Sequence, residues 1–227
     1  MARRKPAKMT AARLLAISLT LALLAAAVYC VGVYIDILRV RWQLPALIPK
    51  AAAAHGLDPL LVQAVVIEES GMNYRAQSRK GAIGLMQVRP VVLEDYARGT
   101  GRSFTSNQLR DPEINLEVGC WYLARMVKAF RGQRDPVYFA LAAYNAGATN
   151  VERWIGDAKG LSGEEFLQRI GFKGTRAYVA RIVNRWSRLA QSGARSSSAS
   201  SRRIAQAPSP AGEVFYVLGG FPLFYGD

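Results

Sequence analysis

Three times in this chain an aspartate directly precedes a proline at the head of an apolar stretch: Asp58-Pro59, Asp111-Pro112 and Asp135-Pro136. The short carboxylate can accept hydrogen bonds from first-turn N–H groups, and proline fits the first helical position, where its missing N–H costs nothing. Each pair therefore marks a helix start. They predict a helix from Leu60 to Ser70, a long one through Leu116, Cys120, Leu123, Val127 and Phe130, and one over Val137–Ala146. Pro45 and Pro49 are expected to open a helix through Ala51–Ala54 that stops at Gly56, and Pro90–Arg98 reads as a further helix. A last one covers Tyr178–Leu189, with Val179, Ile182, Val183 and Trp186 at helical spacing. No segment between 42 and 190 alternates as a half-buried strand would. The fold class is all-α.

The two ends have a different character. Residues 1–13 hold five basic side chains and no acid, and an uncharged, mostly apolar run of 22 residues follows from Leu14 to Ile35. As a helix that run is about 33 Å long, enough for a bilayer core of roughly 30 Å. The basic flank predicts that residues 14–35 anchor the chain in the inner membrane, with everything beyond Arg39 on the far side. A cleaved signal ending at Ala25-Ala26-Ala27 competes with this, but the apolar run continues eight residues further. A lipid-bearing Cys30 also competes, but Tyr29 before it is bulky. At the other end, Gln191–Ala211 is rich in Ser, Ala and Pro and has no acid, which predicts a disordered linker. Val214–Tyr225 is apolar and aromatic, and reads as a tail that folds back or as a docking segment for a cell-envelope protein. The expected organisation is an anchor region over 1–41, a helical domain over 42–190, and a linker and tail over 191–227.

Residue types narrow the chemistry. Of 227 residues only two are cysteine and one is histidine, too few for a disulfide scaffold or a multi-histidine metal site. No metal and no cofactor are expected, and the chemistry falls to carboxylates, hydroxyls, amides and aromatics. The net charge of +14 favours polyanionic surroundings, yet no basic motif interleaved with aromatics supports a nucleic-acid partner. His55 at a helix end reads as a cap or surface residue, and Cys120 as a small core residue.

Three clusters stand out. Glu68-Glu69-Ser70-Gly71 closes a helix whose preceding eight residues include one polar side chain, Gln63. A carboxylate there is partly desolvated and faces the negative end of the helix dipole, so its pKa rises toward the state a general acid needs. Periodicity does not choose between Glu68 and Glu69, which point about 100° apart on a helix. In Gly81-Ala82-Ile83-Gly84-Leu85-Met86-Gln87, two glycines allow close backbone approach to a ligand, Met86 offers an apolar wall, and Gln87 a donor and an acceptor. Ala143-Tyr144-Asn145-Ala146-Gly147 projects a phenol and an amide near a helix end.

In this order and spacing, these clusters with Ser78 resemble the signature of the soluble-lytic-transglycosylase family. Agreement extends to Asn73, Ala76-Gln77-Ser78, Asp111-Pro112-Glu113, Asn115, Gly119, Trp154, Thr175-Arg176 and Tyr178-Val179, over roughly residues 45–190. The resemblance implies a lysozyme-like helical domain that cuts the MurNAc–GlcNAc β-1,4 bond of peptidoglycan glycan strands. The family's acid directly precedes Ser, which selects Glu69. It would protonate the glycosidic oxygen and then accept the proton of the MurNAc 6-hydroxyl as that oxygen attacks C1, leaving a 1,6-anhydro ring. Ser78, Met86, Gln87, Tyr144 and Asn145 match the family's substrate-contacting or supporting positions. Gly174 departs from the pattern, since many relatives carry Glu before the Thr-Arg pair. Two alternatives stay open: a lysozyme-type muramidase, and a weakly active peptidoglycan-binding assembly module.

Overall fold

The structure is a computed structural model, and it describes residues 11–205, with side chains through residue 195. Among the described residues it is built of helices: α1 Ala11–Ala54, α2 Pro59–Ser70, α3 Pro90–Thr100, α4 Pro112–Ala129, α5 Pro136–Ala146, α6 Ala148–Ile155, α7 Gly163–Arg169 and α8 Lys173–Ala205. A 3-10 turn at Gln108–Arg110 precedes α4. The β-pairing among these residues is two isolated antiparallel bridges, Gln77 with Ile83 and Ile83 with Val88, inside the loop between α2 and α3. Met1–Ser187 and Arg188–Asp227 are separate units, and the described part of the second is helical.

Two of the three Asp-Pro pairs cap as expected. Asp58 accepts from the Leu60 N–H at 2.7 Å, and Asp111 from the N–H groups of Glu113 and Ile114 at 2.8 and 3.1 Å. Asp135 departs from this. Pro136 begins α5, but the Asp135 carboxylate accepts the N–H of Gly163 at 2.8 Å, so it satisfies the start of α7 across the fold.

α1 also departs from expectation. It does not restart at Pro45 or Pro49 but runs unbroken through both, from the apolar segment into the domain. Proline in a helix interior removes a backbone bond. Tertiary packing offsets that loss here: Val40, Leu44, Ile48 and Ala52, spaced four apart, are buried where α1 packs on α2 and α4. The helix stops where expected, at Gly56 with φ +64°. Its first part is long and apolar enough to cross a membrane, and Leu15, Val28 and Tyr29 there are exposed.

α8 continues to Ala205, through residues expected to form a disordered linker. Extending an existing helix adds one bond per residue ordered, Ala and Arg are good helix formers, and the first proline after Lys173 is Pro208. The apolar tail Val214–Tyr225 lies outside the described residues. α6 and α7, which the sequence patterns did not single out, are short, and Phe166 of α7 stacks on Phe139 of α5 at 4.0 Å. Helices α4 and α5 form the centre, with Leu116, Leu123, Phe139 and Leu141 fully buried.

Candidate active site

Glu69 occupies the last turn of α2, which ends at Gly71 in the left-handed conformation, φ +60°. Its neighbours on α2, Val62, Ala64, Val65 and Val66, are fully buried, so the carboxyl leaves the core half-buried. Burial pushes its pKa up to about 7. A hydrogen bond donated by the Tyr178 hydroxyl to Oε1, at 2.6 Å, opposes that rise, and the neighbouring charge of Glu68 adds to it. Glu68 has different partners: Arg181 donates to its Oε1 from Nε at 2.8 Å and Nη2 at 2.7 Å, and Arg185 lies 3.8 Å from Oε2. Two adjacent carboxylates thus sit in opposite surroundings, one paired to cations and one poised near neutrality. That is the separation acid–base chemistry uses.

The loop from Ala76 to Val88 is a tight structure around Asn115. That side chain, fully buried in α4, accepts from the Met86 N–H at 2.8 Å and donates to the carbonyls of Ile83 and Leu109, each at 2.8 Å. Gly84, φ +81°, lies against it: a Cβ there would meet Asn115 Nδ2 at 2.1 Å. The close approach that glycine permits is therefore to Asn115 and not to a ligand, while Gly81 supplies a turn with φ +77° and open space beside it.

The other sequence-predicted residues divide. Met86 is placed differently from expectation: its side chain is fully buried against Gly119 and Cys120, so it offers no apolar wall to solvent. Its carbonyl accepts the Tyr144 hydroxyl at 2.8 Å, which ties the end of α5 to the loop. Gln87 holds a left-handed backbone, φ +47°, unusual for a long side chain. Its Nε2 donates to the carbonyls of Gly84 and Ala76, at 3.0 and 3.3 Å, so its donor is already used within the loop. Ser78 is half-buried, and its Oγ accepts the Ala82 N–H at 3.0 Å, which leaves its O–H proton to donate. Tyr144, Asn145 and Gln87 line one pocket of about 120 Å³ together with Tyr122, whose ring lies 5.4 Å from that of Tyr144. Asn145 is exposed and accepts the Thr175 hydroxyl at 2.8 Å, joining α5 to α8. Burial raises the Tyr144 phenol well above its usual range, and the charge of Glu69 contributes.

Tyr178 was missed as a site residue. Its position in the Val179–Ile182 pattern reads as core, and it is buried, but its hydroxyl reaches Glu69 across 109 residues of chain. The Thr-Arg-x-Tyr spacing was the available signal. Gly174 opens onto space, with nothing within 4 Å of a Cβ built there. His55 is half-buried, 3.0 Å from Glu117 Oε2, in a polar group with Tyr96 and Arg102 beside α4. A larger pocket there, about 260 Å³ between α1 and α4, contains none of the clustered residues.

Replacing Tyr178 by Phe removes the hydrogen bond that lowers the Glu69 pKa, so that pKa should rise further above about 7. The alkaline limb of the pH–rate profile, which reports loss of the protonated acid, should then move to higher pH. A limb that stays in place would detach Tyr178 from Glu69 titration.

Comparison with known proteins identifies the family. The chain belongs to the family described as the transglycosylase SLT domain, which it matches over residues 46–167. It is 35% identical over 130 residues to the soluble lytic murein transglycosylase of Salmonella typhimurium, covering 53% of this chain and 19% of that one. It is 32% identical over 136 residues to the endo-type membrane-bound lytic murein transglycosylase A of Klebsiella pneumoniae, covering 53% of this chain and 67% of the relative. The chain therefore spans about a fifth of the length of the soluble relative. Among solved structures, an inactive glutamate-to-glutamine variant of the lytic transglycosylase Slt from Pseudomonas aeruginosa superimposes with a TM-score of 0.58 at 31% identity, over 63% of this chain and 23% of that one. The 70 kDa soluble lytic transglycosylase from Escherichia coli gives 0.57 at 29%, over the same shares. The fold is the lysozyme-like helical one.

Proposed function

We propose that this chain is a membrane-anchored lytic transglycosylase that cleaves the MurNAc–GlcNAc β-1,4 bond of peptidoglycan, with Glu69 as its acid and base. The observation that carries the proposal is one half-buried carboxyl with a pKa pushed up to about 7, beside a second carboxylate held by arginine. Protonated Glu69 gives its proton to the glycosidic oxygen as the C1–O bond breaks. The resulting carboxylate takes the 6-hydroxyl proton of the same MurNAc while that oxygen bonds to C1, which returns the acid to its starting state. Hydrolases normally flank the bond with two carboxylates, one of which acts on water or on the sugar. Glu68, held by Arg181, is poorly placed for that role, and an internal hydroxyl needs no such helper.

Ser78 and the Tyr144–Tyr122 pocket supply sugar contacts in this reading. Met86, Gln87 and Asn145 act mainly by fixing the loop and the end of α5 around the cleft. That an inactive form of the Pseudomonas relative carries a glutamate-to-glutamine change supports a single essential carboxyl. Residues 42–190 form the catalytic unit, 14–35 the inner-membrane anchor, and 191–227 an appendage. In this reading the basic residues before Leu14 stay in the cytoplasm, and the catalytic unit lies on the other side of the membrane, facing the wall.

Digestion of purified sacculi, with the products weighed unreduced, tests the proposal. The expected muropeptides end in 1,6-anhydroMurNAc and are lighter by one water than reducing ends. Products dominated by reducing ends would make the protein a muramidase instead.

A further inference from the structure

The anchor helix enters the catalytic unit with no joint. α1 is unbroken from Ala11 to Ala54, so the apolar run ending at Ile35 and the buried stripe Val40, Leu44, Ile48 and Ala52 belong to one continuous helix, whose prolines both lie beyond Val40. The first residue past the run, Asp36, extends that stripe by one four-residue step, and it is not free. The Tyr74 hydroxyl donates to Asp36 Oδ2, Arg75 Nη2 reaches the same oxygen at 2.6 Å, and Arg75 Nε donates to the Tyr74 hydroxyl at 2.6 Å. Tyr74 is itself buried. The loop that leaves the Glu69 helix is therefore bound to α1 at the point where α1 leaves the apolar layer.

Chain geometry bounds the consequence. Tyr74 follows Glu69 by five steps along the chain, which even fully extended span at most about 18 Å. With side-chain reach, Glu69 lies within roughly 30 Å of Asp36, the residue at the bilayer edge. The surface at that level is made for headgroups. Trp42, 83% exposed, stands on the side of α1 opposite the buried stripe, about 10 Å beyond Ile35 along an upright helix, with exposed Arg39 and Arg41 flanking it. Indole rings favour the membrane interface, and arginines there meet anionic lipid.

Resting on the transglycosylase reading above, we propose that the unbroken α1 and the Asp36–Tyr74–Arg75 clamp seat the cleft on the bilayer, so that this chain cuts glycan lying at the membrane surface and not glycan in distant layers of the wall. The bilayer is a second interaction surface of the catalytic unit, and its headgroup partners are Trp42, Arg39 and Arg41.

The test uses full-length protein in vesicles of phosphatidylethanolamine and phosphatidylglycerol. Two substrates are compared: glycan polymerised on the same vesicles and still lipid-tethered, and short soluble glycan fragments. A rigid helical spacer of about 20 residues inserted between Ile35 and Asp36 lifts the domain by about 30 Å. It should slow cleavage of tethered glycan at least about tenfold, as when a site is carried out of reach, and leave cleavage of soluble fragments unchanged. Wild-type rates on tethered glycan with the spacer in place would overturn the inference. Independently of the insertion, lipids brominated near the headgroup should quench a share of tryptophan fluorescence that disappears in Trp42→Phe, and absence of that share would also overturn it. If the wild-type protein forms no anhydro product even from soluble fragments, the transglycosylase reading itself fails, a result distinct from either of these.

Discussion

Glu69→Gln is expected to abolish glycan cleavage and leave the fold intact. The amide matches the carboxyl in size and can still accept the Tyr178 hydroxyl, but its N–H protons are far too weakly acidic to pass to the glycosidic oxygen. Loss of a positioned general acid costs about 10²- to 10⁴-fold. The matched control is Glu68→Gln, which weakens the contact with Arg181 but spares the acid, and it should keep most of the turnover of sacculi. The reverse pattern would move the chemistry to Glu68. Glu69→Gln should also change stability with a defined sign. A folded-state pKa of about 7 against an ordinary value of 4.5 means that the native protein binds more protons than the unfolded chain between those values. Wild-type stability attributable to this group therefore falls as pH rises through that window, and the cost of an ionised Glu69 is fully present above it. The amide removes that cost. Its melting temperature should exceed wild type at pH 8, with the difference shrinking toward pH 4. An equal offset at both pH values would mean that the carboxyl is not desolvated.

This trade of stability for a poised acid bears on how much of the molecule is legible in its sequence. Local signals served well where the cause was local. Asp58 and Asp111 each start the helix they precede, and Gly56 and Gly71 each end one. The run of apolar residues ahead of Glu68 and Glu69 points to a desolvated carboxyl without choosing between the two, and the resemblance to the family chooses Glu69. What was not legible depends on contacts far apart in the chain. Pro45 and Pro49 read as helix openings because their missing N–H groups are visible in sequence, whereas the α2 and α4 surfaces that hold α1 together across them are not. Asp135 carries the same dipeptide signal as its two counterparts but turns to a helix 28 residues further on. The Tyr178 hydroxyl meets Glu69 only because α8 packs beside the end of α2. The capping box of Ser162 and Glu165 was readable, but α7 is too short for its periodicity to draw attention to it.

Asn115 shows how a buried amide far from the reacting atoms can govern both stability and the cleft. Its three hydrogen bonds reach one N–H and two carbonyls of loop backbone, of which the Ile83 carbonyl also accepts the Val88 N–H at 3.0 Å. Asn115→Leu keeps the volume but takes the partner from the Met86 N–H and the Leu109 carbonyl in a buried site, while the Ile83 carbonyl keeps the Val88 N–H. An unsatisfied buried donor or acceptor costs about 1–3 kcal/mol, and carbonyls tolerate neglect better than N–H groups, so a total near 2–4 kcal/mol is expected. In a domain of this size each kcal/mol moves the melting temperature by about 2–4 °C, so the midpoint should drop by roughly 5–15 °C. Asn115→Asp separates hydrogen bonding from packing. One oxygen can still accept the Met86 N–H, but an ionised second oxygen would face the Ile83 and Leu109 carbonyls, and only the protonated acid can donate to one of them. Its folded pKa should therefore rise, and its stability, measured by thermal unfolding, should fall as pH increases from 4 to 7. Activity should follow, because the Met86 carbonyl that orients Tyr144 belongs to the residue whose N–H Asn115 holds. If Asn115→Leu melted within a degree or two of wild type, the loop would have to be held by its own turns, without help from the amide.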